Sequence, residues 1–286
     1  MVKKILIPVD FSEYSNKAVE YARQLSKITK HDLVLIHVFT DHSNIYHNST
    51  EDIDLVDPRV GSAKREMEKL IAELNENEPD ILVSSIFTNG NLYDEIGKLV
   101  SPETYDAIIM GTKGSSGLDA MLIGSNMFDV FLNTDTPVLA IPFQEKKYKT
   151  EKIGLLCNFK DGEIAVLKQA TALYGTNFEL VLIHINTSDD SIKNLDIKFG
   201  QFIERIIAET GIDNISYIIK AQAFFIQYKE DISSAIDSVI ADELLDVLLV
   251  TKSKKGFLRK VVEENIVKRM AYQIQIPKFF ARSTTL

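Results

Sequence analysis

The chain carries one short pattern twice. Lys4-Ile5-Leu6-Ile7-Pro8-Val9-Asp10-Phe11 recurs 148 positions later as Lys152-Ile153-Gly154-Leu155-Leu156-Cys157-Asn158-Phe159. Leu33-Val34-Leu35-Ile36-His37-Val38 recurs 147 positions later as Leu180-Val181-Leu182-Ile183-His184-Ile185, and Pro137 and Pro277 stand 140 apart. A repeat of that length, drifting by a few residues as loop lengths change, restricts the fold to two copies of one domain. With 286 residues, 45% of them hydrophobic and 26% charged, each copy has the size of an ordinary domain with its own core. We place the copies at residues 1–145 and 150–286, joined by a polar, lysine-rich linker over residues 144–150.

In the first copy, residues 4–10 read as a strand and Ser12 as the N-cap of a helix whose inner face is Ala18, Ala22, Leu25 and Ile28. Ser15 stands where a full capping box would have Glu or Gln. Residues 33–39 form a second strand, and their near-continuous hydrophobicity predicts burial on both faces. After a polar stretch over residues 40–54, Val60, Ala63, Met67, Leu70, Ile71 and Leu74 define one apolar helical stripe. Strands at residues 81–87, 105–110 and 138–141 follow, separated by helices at residues 92–99 and 118–132. The second copy repeats the order, with strands at 152–159, 180–185, 215–219, 247–250 and 274–280 and helices at 163–174, 192–210, 232–244 and 258–270. Such alternation needs helices covering a mainly parallel sheet, so the fold class is α/β, two tandem open parallel-sheet domains.

Composition narrows the partners. The net charge of -9, from 32 Lys and Arg against 41 Asp and Glu, gives no general attraction to nucleic acid or an anionic membrane, and neither partner is expected. Cys157 is the single cysteine, so there is no internal disulfide framework and a reducing compartment is the simpler assumption. The first apolar run is too short for a signal peptide, and no stretch approaches the roughly 20 apolar residues that span a bilayer. A cytoplasmic location is expected by elimination.

The chemistry concentrates in the first copy. Gly111-Thr112-Lys113-Gly114, nine further residues and then Gly124-Ser125 follow directly on the apolar run ending at Met110. In an open parallel sheet the binding edge lies at the carboxyl ends of the strands, where chain order reverses, and Asp10 and Gly111 meet there if the first and fourth strands are adjacent. Glycines let an anionic ligand approach the backbone without meeting a Cβ, and amides around residues 112–117 can form a nest for phosphate oxygens. Lys113 is either a mobile counter-charge or a solvated loop lysine, and the Ser125 hydroxyl can donate to a phosphate. Gly124 inside the expected helix marks either close ligand approach or a later helix start. Asp10 either accepts from a ribose hydroxyl or an adenine amino group, or caps the following helix. Val9 and Val38 offer apolar flanks and backbone groups to a base.

Other motifs are weaker. Gly117 is followed by Leu118, so the glycines are not a Walker A loop, and dinucleotide-fingerprint spacing is lacking. His37 and His184 recur at equivalent positions in apolar strands, which favours structural imidazoles bonded to backbone. His31, His42 and His47 show no metal-ligand spacing, and Cys157 has no base partner. We assign no catalytic residue and no metal ligand.

Pro8-Val9-Asp10 at the first strand end, with Gly111, Gly114, Gly124 and Ser125 spaced as Gly, two residues, Gly, nine residues, Gly-Ser, resembles the ATP-binding branch of the universal stress protein family in its tandem form. The resemblance covers nearly the whole chain and implies two sheets of the adenine-nucleotide alpha-hydrolase-like type, each of strand order 3-2-1-4-5. It further implies a bound adenine nucleotide, ATP or else AMP or ADP, often with Mg2+. By that likeness Val9 and Val38 contact adenine, and Asp10 holds ribose or base. Gly111, Thr112, Gly114, Gly124, Ser125 and Asn126 line the ribose-phosphate path, with Pro8, Met110 and Lys113 completing the set. Domains of this family usually pair through their last strands, which implies a homodimer or an intramolecular pseudo-dimer joining residues 138–141 to the strand near Pro277.

The second copy departs from that pattern. Asn158 replaces Asp10, Thr251 and Lys254 replace Gly111 and Gly114, and Glu264-Asn265 replaces Gly124-Ser125. One nucleotide per chain is therefore expected, with the second domain as structural partner or interaction surface. Lys252, Lys254, Lys255, Arg259 and Lys260 either attract a further anion or form a solvated loop. The expected role is an adenine-nucleotide-binding stress-response or signalling protein whose bound state a protein partner reads. A slow ATPase and a nucleotide-independent interaction scaffold are the alternatives, and a dedicated enzyme is not expected.

Overall fold

Ile5, Leu6 and Ile7 of β1 (Lys4–Pro8) are fully buried, so both faces of this strand are covered, and it pairs with a neighbour on each side at the centre of its sheet. The computed structural model describes residues 3–39, 58–100, 104–112, 127, 129–131, 134–143, 148–186, 190–221, 232–252 and 275–282. The chain divides into two units, residues 1–144 and 145–286.

In the first unit β1 is followed by α1 (Glu13–Thr29), β2 (Asp32–Phe39), α2 (Pro58–Asn77), β3 (Val83–Asn89), α3 (Leu92–Leu99), β4 (Ala107–Gly111) and β5 (Val138–Ile141). The sheet order is β3-β2-β1-β4-β5 and every pairing is parallel. Ile5 lies opposite Leu33 on one side and Ala107 on the other. In the second unit β6 (Lys152–Leu156), α4 (Asp161–Tyr174), β7 (Glu179–Asn186), α5 (Ile192–Thr210), β8 (Ile215–Ala221), α6 (Ile232–Asp242), β9 (Val247–Lys252) and β10 (Lys278–Arg282) give the order β8-β7-β6-β9-β10, again parallel throughout.

The duplication extends to single hydrogen bonds. Asp32 and Glu179 donate their amides to Lys3 and Glu151, Asp106 and Asp246 to Lys4 and Lys152, and Ile108 and Leu248 to the carbonyls of Pro137 and Pro277. Those prolines cannot donate to a ladder, so β5 and β10 begin just after them rather than at residue 274 in the second case.

Ser12 caps α1: its hydroxyl accepts from the Ser15 amide at 3.2 Å, while the Ser15 hydroxyl donates to the Ser12 carbonyl at 3.1 Å. The helix buries Ala18, Val19, Tyr21, Ala22 and Leu25, but Ile28 is 75% exposed. Ile28 falls on the margin of the apolar stripe in the last turn, just before Lys30 leaves the helix in a left-handed conformation, so its expected inner-face role is corrected. In α2 Val60, Met67 and Leu74 are buried, whereas Ala63, Leu70 and Ile71 are half-buried. The second strand is also less enclosed than its hydrophobicity suggests, since His37, Val38 and Phe39 are only half-buried. The third strand runs over Val83–Asn89 rather than residues 81–87, leaving Leu82 65% exposed ahead of it.

Residues 127 and 129–131 are helical, while the rest of the expected helix 118–132, the polar stretch 40–54 and the expected helix 258–270 lie outside the described residues. Among the described residues no helix is long and apolar enough to cross a membrane.

Both recurrent histidines bond to backbone. A carbonyl only accepts, so Nδ1 carries the proton in each ring: His37 donates to the Val9 carbonyl at 2.7 Å and His184 to the Cys157 carbonyl at 2.8 Å. The contact ties the end of one strand to its neighbour within each sheet. His184→Phe keeps the ring but removes that donor from a buried carbonyl, and we expect a loss of about 1–3 kcal/mol in urea-induced unfolding of the second unit. An unchanged midpoint would show that the bond adds nothing to the fold.

Candidate functional site

The crevice is set by the split between β1 and β4. Leu6 pairs with Val34 on one side and Ile108 on the other, so the chain turns away in opposite directions at the carboxyl ends of these strands. Pro8, Val9, Asp10, Met110, Gly111 and Thr112 gather there, and Val38 stands at the end of the adjacent β2. Lys113, Gly114, Gly124, Ser125 and Asn126 lie outside the described residues.

Asp10 is half-buried and its Oδ1 accepts from the Ser12 amide at 3.1 Å and the Ser12 hydroxyl at 2.6 Å. Between them Phe11 takes a left-handed conformation, φ 61°. The carboxylate thereby orders the turn that places Ser12 at the helix start, near the positive end of the α1 dipole. The helix cap is Ser12 rather than Asp10, and Asp10 remains half-buried at the strand end.

Three backbone expectations change. The Val9 amide donates to the Ile36 carbonyl at 2.8 Å and its carbonyl accepts from His37, so Val9 retains little backbone capacity for a base. The Thr112 amide donates to the Ile141 carbonyl at 3.1 Å and the residue is buried, so any phosphate nest begins beyond Thr112. Gly111 has a packing explanation that needs no ligand. A Cβ there would stand 2.5 Å from the Tyr14 carbonyl carbon and 3.0 Å from the Ser15 nitrogen, and its φ is not left-handed, so glycine lets the first turn of α1 press against β4.

The second unit has the same frame with different contents. Phe159 repeats the left-handed turn at φ 60°. Lys160 stands where Ser12 does, and Glu163 stands where Ser15 does. The buried Glu163 carboxylate accepts from the Asn158 amide at 2.8 Å and the Lys160 amide at 3.1 Å. Each copy thus keeps one half of a capping box, the serine in the first and the glutamate in the second. The Lys160-x-x-Glu163 spacing was the sequence signal for this bond, although lysine at the cap position hid it.

Aromatic rings fill the strand ends above β6 and β7. Phe159 packs on His184 at 5.1 Å, Phe199 at 4.8 Å and Phe202 at 5.9 Å between ring centroids, and Tyr217 stacks on Phe199 at 4.1 Å. In the first unit Phe11, His37 and Phe87 form a smaller set, 5.0 and 5.5 Å apart. Thr251, at the position of Gly111, places a hydroxyl oxygen in the interior with no hydrogen-bond partner among the described residues. Cys157 is buried, and burial together with the Glu163 charge pushes its thiol far above its ordinary pKa, which removes it as a nucleophile. Among the described residues no group of three His, Cys, Asp or Glu side chains could hold a metal ion.

Residues 1–142 match the model of the universal stress protein family. Universal stress protein MJ0577 of Methanocaldococcus jannaschii is 29% identical over 156 residues, covering 49% of this chain and 95% of that protein. Universal stress protein YxiE of Bacillus subtilis is 26% identical over 147 residues, covering 49% of this chain and 99% of its own. A solved universal stress protein from Archaeoglobus fulgidus matches over 99% of this chain and 97% of its own with a TM-score of 0.70 and 19% identity, a likeness of fold that extends over both units.

The Gly111 contact is testable without any ligand. Gly111→Ala forces α1 and β4 apart, and we expect it to destabilise the first unit by about 1–3 kcal/mol in equilibrium unfolding. Wild-type stability in that variant would return Gly111 to the ligand-approach reading.

Proposed function

Because the chain belongs, through residues 1–142, to the universal stress protein family, we propose that its first unit binds one adenine nucleotide at the carboxyl ends of β1 and β4 while the second unit binds none in that manner. The observation that carries this reading is the half-buried Asp10 carboxylate at the split between adjacent β1 and β4, against the uncharged Asn158 at the same place in the second unit, where the aromatic cluster beside β6 and β7 is also the larger of the two. Asp10 accepts from the ribose or the base, and Val38 provides an apolar flank. Thr112 has its amide engaged in the sheet, so phosphate contacts fall to Lys113, Gly114, Gly124, Ser125 and Asn126. Mg2+ enters with the phosphates of ATP. Binding stabilises the first unit, and a protein partner distinguishes its filled and empty forms.

Calorimetric titration of the full chain with ATP, ADP and AMP, with and without Mg2+, tests this directly. We expect one equivalent per chain, weakened roughly tenfold to a hundredfold by Asp10→Ala through loss of a charge-assisted hydrogen bond. Gly114→Val is expected to abolish binding by placing a side chain in the phosphate path, while Asn158→Ala leaves it unchanged. Thermal unfolding of each variant separates a lost contact from a lost fold. No heat and no thermal shift with any nucleotide at millimolar concentration would sink the proposal.

A further inference from the structure

The start of α4 encloses a carboxylate that has no ion pair among the described residues. Glu163 is 3% exposed, accepts from the amides of Asn158 and Lys160, and has the buried Cys157 thiol against it. The Lys160 ammonium, unlike its amide, acts on it only through space. The charged groups of the neighbouring elements do not pair with it: Lys198 and Arg205 of α5 bind Asp190, Asp161 and Glu209, and Lys252 of β9 and Lys278 and Arg282 of β10 form no ion pair with it. In the first unit the same position is Ser15, a neutral residue whose hydroxyl donates to Ser12. An ionisable acceptor has therefore entered one point of an otherwise repeated strand-turn-helix junction.

We propose that Glu163 is a proton-operated clamp on the turn between β6 and α4: as the anion it holds the amides of both Asn158 and Lys160, and as the acid it holds one of them. A carboxylate oxygen accepts strongly from a backbone amide, whereas the hydroxyl oxygen of a carboxylic acid is a poor acceptor and becomes a donor. Two amide bonds flank Phe159, so the anion fixes its left-handed backbone and its ring within the aromatic cluster.

Burial pushes the pKa up from 4.5 to about 7, opposed by the two amide bonds and the Lys160 charge. The folded state therefore binds a proton more readily than the unfolded chain. Stability from this group is fully present below the unfolded value and is lost as pH rises toward the folded one. Acidification from about pH 8 to 5 then has two effects of opposite sign: the second unit as a whole resists unfolding better, while its β6–α4 turn loosens. A buried charge without a clamping role produces only the first.

Three measurements on the full chain test the clamp. Carboxyl carbon NMR follows the Glu163 titration, amide hydrogen exchange at Asn158 and Lys160, corrected for intrinsic rates, follows the turn, and urea unfolding follows the second unit. We expect a midpoint between about pH 6 and 8, a several-fold loss of protection at one amide on acidification, and an unfolding constant that rises up to about a hundredfold from pH 5 to 8. Glu163→Gln is expected to remove both pH dependences, and Glu163→Ser, the residue of the first unit, serves as the second variant. A Glu163 midpoint below about pH 5, or equal pH dependence in wild type and Glu163→Gln, overturns the proposal, as does amide protection that does not change with pH.

Discussion

The way the chain leaves its central strand governs both units. At the end of β1 and of β6 a carbonyl is held by an imidazole from the next strand, at 2.7 and 2.8 Å, while the amide of the same residue donates to that strand at 2.8 Å. With both backbone groups held, the turn that follows has a fixed origin. A phenylalanine then takes a left-handed conformation, at a cost of order 1–2 kcal/mol for a residue with a Cβ. Its ring returns onto the histidine that holds the carbonyl. The sharp exit lets α1 begin close enough to β4 that only glycine fits at position 111.

The two units solve the next step differently. In the first, Asp10 bonds the turn from outside the helix and Ser12 caps it, so the carboxylate stays at the crevice edge, half-exposed. In the second, the carboxylate comes from inside the helix, on Glu163, and is buried under the turn. Both arrangements place negative charge at a helix amino end, where the dipole favours it. Only the first leaves that charge where a ligand from solvent could meet it.

Much of this was legible because periodicity and punctuation are local. Ser12, the strand at Val138–Ile141 and the helix at Leu92–Leu99 stand where caps, prolines and apolar spacing place them. What was not legible shares a physical origin, since it depends on what a residue meets across the fold. Ile28 has the right spacing but lies at a stripe margin in the final turn, and Gly111 resembles a ligand-approach glycine until the Tyr14 backbone is placed beside it. Thr112 offers an amide on paper, but Ile141 has already accepted from it. Phe199 and Phe202 carry no separate signal within the expected helix 192–210, and their packing on Phe159 emerges only once α5 is packed on its sheet.

A duplicated chain also performs its own substitution experiment. Whatever the fold requires must survive in both copies, and whatever a ligand requires needs to survive in one. The histidine–carbonyl bond, the left-handed phenylalanine and the paired proline carbonyls are present twice, which assigns them to the fold. Asp10 has become Asn158, and the close-approach glycine of β4 has become Thr251 in β9 while Tyr14 of α1 has become Gly162 in α4. That last exchange moves the missing side chain from strand to helix, so the strand glycine itself is dispensable when the helix partner is small. Asp10 changes together with its partner too, since Ser12 has become Lys160 and Glu163 holds the turn instead. What sets it apart from Gly111 is that its carboxylate stands half-buried at the strand end, and on that position the nucleotide assignment rests.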